Sequence, residues 1–532
     1  MKPLPRGVAL TLFALVGGAC LVVGCAQILG IDDLPDRCDD NAACQTPEHP
    51  DWMCNLTSHA CEAPSAGNEC EDEGDCRADA PICGQNNTCR GCADSTECDG
   101  AVPICGASGQ CVRSCSAAEQ CSDAMPYCNI QSGICEACQA PRDNALCNER
   151  DDSKPLCGPA GACVACLDNT QCTATAETPI CGDDNACRAC QEHGECGSNA
   201  CDRVTGACVA ESAVAYVVSG GAGDCTKAAP CGTIADALEF VRANNDARYI
   251  VRLDDGTYTE QVPLSDIRVR IIGDGATVQL DSATPNTAVI NVIANADVTL
   301  EGLTIRGASG GASARGLRCS GDETSTVQLL QSIVTENAAV GIDVTLCSLT
   351  VSRSAITKNV GGGIQVTTSA FDITNTYILD NGDVRDSVVA GVRIANGQAF
   401  SPQRFAFNTV ADNEGSAGAD AGGVFCDINA SSTAITTSNV IMEGFGGRPA
   451  VGGDCTWVYS NIEDKADIPG AIAADETNID ANCMLTDRPD GLQAIDAASS
   501  CVNAGQDDTG ILVDYDGAAR PATDPDMGAD EL

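Results

Sequence analysis

Two periodicities divide the chain, one apolar and one of cysteines. In the C-terminal part, apolar residues recur on a step of 22. Val334, Ile356 and Ile378 stand 22 apart, as do Asn337, Asn359 and Asn381; Ile342 matches Ile364, Val344 matches Val366, Leu349 matches Phe371 and Val351 matches Ile373. The segments are SIVTENAAVGIDV from Ser332, SAITKNVGGGIQV from Ser354 and TYILDNGDV from Thr376; the pattern returns in NTVADN at Val410 and Asn413 after an insertion, and LEGLTIRG at Leu300–Gly307 is an earlier equivalent. Short alternating runs broken by turns predict three strands per step. Ahead of them, Ile234, Ala237, Leu238 and Val241 in residues 231–245 recur at i, i+3, i+4 and i+7, which predicts an amphipathic helix with Thr233 as N-cap. YIVRLDDGTYTE then predicts a strand, a DDG turn and a second strand.

A flattened loop of three strands that stacks about 4.8 Å above its copy places equivalent side chains over one another. Aliphatic residues then form inward files, and Asn337, Asn359, Asn381 and Asn413 form a structural column whose amides bond their copies at a tight corner. Parallel crossovers wind right-handed. Over residues 213–532 this chain resembles the right-handed parallel β-helix, or pectin-lyase-like, superfamily. The resemblance implies an N-terminal capping helix, and VDYDGAARPATDPDMGADEL, residues 513–532, is similar to a C-terminal tail found on many exported β-helix proteins. The expected fold class is all-β, with roughly 8–11 coils over ~40–50 Å.

The other periodicity lies between Cys38 and Cys208, where 28 cysteines fall into seven groups of four. Cys70, Cys76, Cys83, Cys89 and Cys92, Cys98, Cys105, Cys111 both run C-x5-C-x6-C-x5-C; the last three groups are Cys138, Cys147, Cys157, Cys163, then Cys166, Cys172, Cys181, Cys187, then Cys190, Cys196, Cys201, Cys208. A unit of about 22 residues cannot bury its own core, so two disulfides must hold each module. Three connectivities per module remain open. Zinc is the rival reading, disfavoured because C-x2-C pairs occur only at module junctions. The 38 cysteines require an oxidising compartment.

Val8–Val23 is an uncharged run of 16 residues after Lys2 and Arg6, short for a membrane span and suited to a signal peptide. Leu21-Val22-Val23-Gly24-Cys25 resembles the bacterial lipobox, which implies cleavage before Cys25 and acylation of its sulfur. The expected organisation is a signal peptide over 1–24, a lipidated linker over 25–37, seven modules forming a stalk over 38–210, and the β-helix over 211–532. Eight cysteines fall in this last part and, by proximity along the chain, pair as Cys225–Cys231, Cys319–Cys347, Cys426–Cys455 and Cys483–Cys501.

The net charge of −46 excludes nucleic acid as a partner. The catalytic residues of the superfamily cannot be carried over: no His follows His193, and no R-I-K, R-x-x-R-x-P or Q-D-T string occurs. Arg393 and Arg404 stand as lone candidates. Asp380, Asp383, Arg385, Asp386 and Arg393, on or beside the insertion at 381–391, form a candidate acidic patch whose bland reading is a solvated loop. Asp514 and Asp516 in DYDG are candidate Ca²⁺ ligands; no other cofactor is expected. His49, His59 and His193 are expected at the surface. The expected function is a cell-envelope lipoprotein, anchored to a membrane by lipid, binding polysaccharide or another cell-surface ligand without catalysis; the alternative is a polysaccharide lyase or hydrolase with a non-standard acidic site.

Overall fold

The computed structural model describes residues 125–532 apart from residues 130–132, 173–175, 244–248, 281–284, 322, 384, 386–389, 397–399, 429–434, 443–446, 469–475 and 507–509. Before residue 125 it describes Cys92 and the short strands Met53–Asn55, Ala60–Glu62, Ile82–Cys83, Cys89–Arg90, Ile104–Cys105 and Cys111–Val112. Cys25, the run Val8–Val23, His49, His59 and Asp386 lie outside the described residues. Among the described residues, no helix is long and apolar enough to cross a membrane. The chain forms two compact units, Met1–Cys172 with Cys181–Cys187, and Thr173–Ile180 with Arg188–Leu532. The seventh module, Cys190 to Cys208, therefore belongs to the unit of the coils, which starts before the expected boundary at 211.

Each module ends in a minimal antiparallel hairpin that sets its third and fourth cysteines side by side: Cys54 faces Cys61, Cys83 faces Cys89, Cys105 faces Cys111, Cys128 faces Cys135 and Cys157 faces Cys163. In the last three modules the disulfides join first to third and second to fourth cysteine: Cys138–Cys157 and Cys147–Cys163, Cys166–Cys181 and Cys172–Cys187, Cys190–Cys201 and Cys196–Cys208. The sulfurs of Cys166, Cys172 and Cys181, and of Cys190, Cys196 and Cys208, lie within 4.8 Å of one another, but all are spent in these disulfides. The core of the fifth module is its own four cysteines. Its helix, α1 (Asn144–Arg150), supplies Cys147, and Asn144 Oδ1 accepts from the Cys157 N–H at 2.9 Å.

The second unit is a parallel β-helix of three sheets with ten, nine and eight strands among the described residues. One coil contributes Thr326–Leu330, Ile333–Thr335 and Ile342–Thr345 to them in turn; the next contributes Ser348–Ser352, Ala355–Thr357 and Ile364–Thr367. Every neighbour pair within these sheets is parallel and in register, so Val278, Ile305, Val334, Ile356, Ile378, Val410, Ile441 and Ile462 form one inward file, each essentially inaccessible to solvent. At roughly 1.5–3 kcal/mol per buried aliphatic side chain, such files carry the fold.

Corners follow one rule. A residue in the left-handed region is succeeded by a residue whose side chain bonds the coil below. In one coil the left-handed residues are Gln331, Glu336 and Leu346 (φ 48°, 54° and 56°), followed by Ser332, Asn337 and Cys347; in the next they are Arg353, Lys358 and Thr368 (φ 51°, 56° and 48°), followed by Ser354, Asn359 and Ser369. At the second corner, Asn337 donates from both backbone and side chain to Asn359 Oδ1 (3.3 and 2.9 Å), Asn359 to Asn381 (3.1 and 2.9 Å) and Asn381 to Asn413 (3.0 and 2.9 Å). A mixed ladder runs up the first corner: Ser332 N–H donates to Ser354 Oγ, Thr376 to Asn408, Asn408 to Asn439 and Asn439 to Ser460. Hydrogen bonds of about 1 kcal/mol each offset a left-handed cost of similar size. Beside the Asn column runs a column of glycines, and a Cβ at Gly341 would lie 2.6 Å from Asn359 Nδ2 and 2.9 Å from the Gly363 carbonyl.

The second helix, α2 (Ile234–Arg242), buries Ile234, Ala237, Leu238 and Val241 in the same core as the first coils. Thr233 Oγ1 accepts from the Asp236 N–H at 3.0 Å, and the Glu260 carboxylate accepts from Ile234 and Ala235 at 2.8 and 3.0 Å. Those bonds satisfy its free N-terminal donors.

Candidate functional site

An in-register solenoid turns every outward strand position into a line of side chains on its surface. On the eight-stranded sheet the line reads Asn291, Arg318, Asp343, Gln365, Arg393, Phe425. Asp343 is 7 % exposed and its carboxylate lies 2.6 Å from Arg315 Nε; its Oδ1 has no hydrogen-bond partner among the described residues. Burial pushes the Asp343 carboxyl above its usual range, against the pull of Arg315 and Arg318. Arg393 lies over the Phe425 ring at 5.2 Å and pairs with Asp420 at 3.3 Å. This line offers cation, acid, amide and aromatic groups at successive layers, about 19 Å from Arg318 to Phe425.

The candidates read from the sequence are spread over the surface rather than gathered. Arg393 sits in this line, with Asp420 and Asp427 as its acidic partners. Arg385 pairs with Asp383 at 3.5 Å, and Asp383 accepts from the Arg385 N–H at 2.7 Å. Asp380 occupies a left-handed corner, its carboxyl pushed up by burial and by Asp412. Arg404 forms a two-pronged pair with Asp372, both bonds 2.8 Å, on the ten-stranded sheet. Asn337, Asn359, Asn381 and Asn413 are buried in the corner ladder, away from solvent. The pairs Cys225–Cys231, Cys319–Cys347, Cys426–Cys455 and Cys483–Cys501 are disulfide-bonded.

Asp514 and Asp516 do not fit a Ca²⁺ cage. Asp514 Oδ1 accepts from the Gly517 and Ala518 N–H groups, both at 2.8 Å, and Oδ2 from Glu531 at 3.2 Å. Asp516 meets Arg488 at 2.9 Å, which also pairs with Asp490 and Asp530. A guanidinium and backbone donors already hold the lone pairs a hard cation would need. Leu492 and the tail cover the nine-stranded sheet: Leu492 and Ala529 pack on Ala355, Tyr377, Leu379 and Ala411, and Arg520 stacks over Phe407 at 4.3 Å while donating to Asn375 Oδ1 at 2.9 Å. Burial, with Asp516 and Asp514 near, pushes Asp530 up to about 6 against the pull of Arg488.

The expectation that His193 lies at the surface is corrected: it is 1 % exposed. The seventh module covers the outer face of the first coils, packing Ala200 against Val214, Tyr216, Ile250 and Ile272, and Tyr216 Oη donates to the Ser198 carbonyl at 2.8 Å. His193 Nδ1 accepts from the Cys201 N–H at 3.0 Å, so Nε2 carries the hydrogen and donates to Glu301 Oε1 at 3.0 Å. Glu301 also pairs with Arg203 at 2.8 Å and Arg270 at 2.5 Å. Burial works against its charge, but the His193 hydrogen bond and Arg270 hold the carboxyl down at about 2. Glu301 stands in DVTLEGLT, 108 residues from His193, and no local pattern announces their pairing.

Comparison with known proteins adds the following. A model of a family of unknown function (DUF8331) matches residues 103–214. No curated protein matches the sequence. Among solved structures, similarity is found to the pectate lyase Pel9A (13 % identity, 61 % of this chain and 97 % of that one, TM-score 0.35) and to the pectin methylesterase from Aspergillus niger (15 %, 51 % and 90 %, TM-score 0.33). A pectate lyase from Xanthomonas campestris is also similar (13 %, 45 % and 82 %, TM-score 0.24).

Proposed function

We propose that this protein is a cell-envelope lipoprotein that holds a β-helix on a disulfide-rich stalk and binds polysaccharide, or another cell-surface ligand, without turnover. Acylated Cys25 supplies the anchor, and the modules supply a spacer that needs no core. The observation that carries the binding role is the outward line Arg318, Asp343, Gln365, Arg393 and Phe425, whose layered hydrogen-bonding groups and single aromatic face suit an extended polar chain. Two substitutions in the full chain test it. Cys25→Ser releases the protein from the membrane fraction. Arg393→Ala with Phe425→Ala weakens retention on a panel of immobilised acidic and neutral polysaccharides by about tenfold. Membrane retention of the first variant, or unchanged retention on polysaccharide of the second, overturns the corresponding half of the reading.

One observation favours a second reading as a polysaccharide lyase or hydrolase. Asp343 is a buried carboxyl, raised above its usual range beside two arginines, as a general acid requires. Reducing-end release from the same panel that vanishes in Asp343→Asn selects the enzyme; equal binding without turnover selects the adhesin.

A further inference from the structure

The chain carries 75 acidic side chains against 29 basic ones, so a half-buried arginine without a carboxylate is out of keeping with its surroundings. Arg353 is such a residue. Its Nε donates to the Tyr515 carbonyl at 2.9 Å, and neither Nη atom has an acceptor among the described residues. No carboxylate of a described residue lies within 4.0 Å of it. Arg353 lines a cavity of about 240 Å³ on the ten-stranded sheet, together with Arg203, Arg270, Gln328, Gln331 and Ser352.

Donors dominate this lining. Arg203 is committed to Glu301, Glu192, the Gln191 carbonyl and Gln331 Oε1, which leaves the Gln331 NH₂ as the open end of that amide. Arg270 spends Nε and Nη2 on Glu301. Among the described residues of the cavity wall the only acid is Glu301, already matched by His193 and two arginines. Burial, and the charge of Arg203 beside it, depress the Arg353 pKa against the weaker pull of Asp514, Glu192 and Asp516.

We propose that this cavity, walled by the seventh module and the outer face of the coils, binds the carboxylate of a small polar molecule through the Nη atoms of Arg353. A planar guanidinium with two open nitrogens matches a carboxylate in two-pronged fashion. The amides of Gln328 and Gln331 and the Ser352 hydroxyl match hydroxyl or amide groups on the rest of the ligand. The volume falls below the roughly 300–1,000 Å³ of drug-sized sites, so it admits one ring or less. The carboxylate can come from a free acid or from an acidic sugar at a glycan end. This site lies on a different sheet from the proposed polysaccharide line and stands whether or not that line binds.

The test is titration calorimetry on the full chain with lactate, N-acetylglycine and glucuronate, and with glucose and sulfate as controls. At least one of the three carboxylates is expected to bind in the millimolar range, about tenfold more weakly in Arg353→Gln and unchanged in Arg306→Ala on the nine-stranded sheet. Best binding by glucuronate assigns the sugar source, and best binding by lactate or N-acetylglycine the free acid. Because Arg353→Gln also frees the Tyr515 carbonyl, Gln328→Leu serves as a second variant that leaves the tail untouched; it too must weaken binding. The proposal is overturned if no carboxylate binds up to about 50 mM, if glucose or sulfate binds as well as any carboxylate, or if either variant binds as the parent does.

Discussion

The fifth and sixth modules and the stacked coils order similar lengths of chain by opposite means. Each module is closed by two covalent links, which in the fifth surround a core made of the cysteines themselves. A coil of comparable length is held by neighbours above and below it: inward files, parallel ladders and corner side chains that bond the next layer. Modules gain their order by restricting the unfolded chain, and coils by burying surface in the folded one. The seventh module joins both regimes, being cross-linked internally and packed on the outer face of the first coils.

The sharpest way to break this comparison is reduction. Dithiothreitol under native conditions removes two links per module, about 2–4 kcal/mol each, which a module without a hydrophobic core cannot replace. Limited proteolysis with mass spectrometry is expected to digest modules five and six, spare the coils, and cut the seventh module more slowly. Next in size, Phe371→Ala deletes a fully buried ring from an inward file and is expected to cost about 3–5 kcal/mol in thermal unfolding of the coils, with no change in module digestion.

Acid probes the junction. Glu301 falls from 4.5 to about 2 on folding, so its contribution is present above pH 4.5 and is lost as pH falls through 2. That is about 3 kcal/mol. The seventh module should therefore loosen between about pH 4.5 and 2, read as faster amide exchange around His193, and Glu301→Gln should remove most of that pH dependence. A smaller loss, about 1–3 kcal/mol, is expected for Asn359→Ala, which takes the acceptor from the buried Asn337 backbone N–H and from one of the bonds of its side-chain amide. Smallest of all, Arg393→Ala should shift stability by no more than about 0.5 kcal/mol, because its partners are half exposed; a larger shift would make the outward line a structural feature instead of a binding one.

What could be read from the sequence follows from which contacts repeat. The file through Val334, Ile356 and Ile378 repeats one chemical type at one step, and stacking makes that repetition a direct image of the fold. The corner of Ser332, Ser354, Thr376, Asn408, Asn439 and Ser460 performs the same task as the Asn column with three residue types, so identity does not mark it. The glycines before four successive strands of the eight-stranded sheet, Gly316, Gly341, Gly363 and Gly391, stand in the sequence without a local cause; the approach of the neighbouring Asn side chains supplies it. Contacts made once leave no such trace. The meeting of His193, Arg203 and Arg270 at Glu301, and the open guanidinium of Arg353, depend on a module folding back over a sheet, and no period in the chain records it.

Tension applied to the chain before Arg188 enters the coils through the seventh module. That module grips the first layers broadside, through Ala200, the Tyr216 hydroxyl and the Glu301 cluster. A pull must then shear several bonds at once before the strand Val214–Val217 feels a peeling force. A protein tethered at one end while holding something at the other gains mechanical endurance from this arrangement, with no added strength in any single bond.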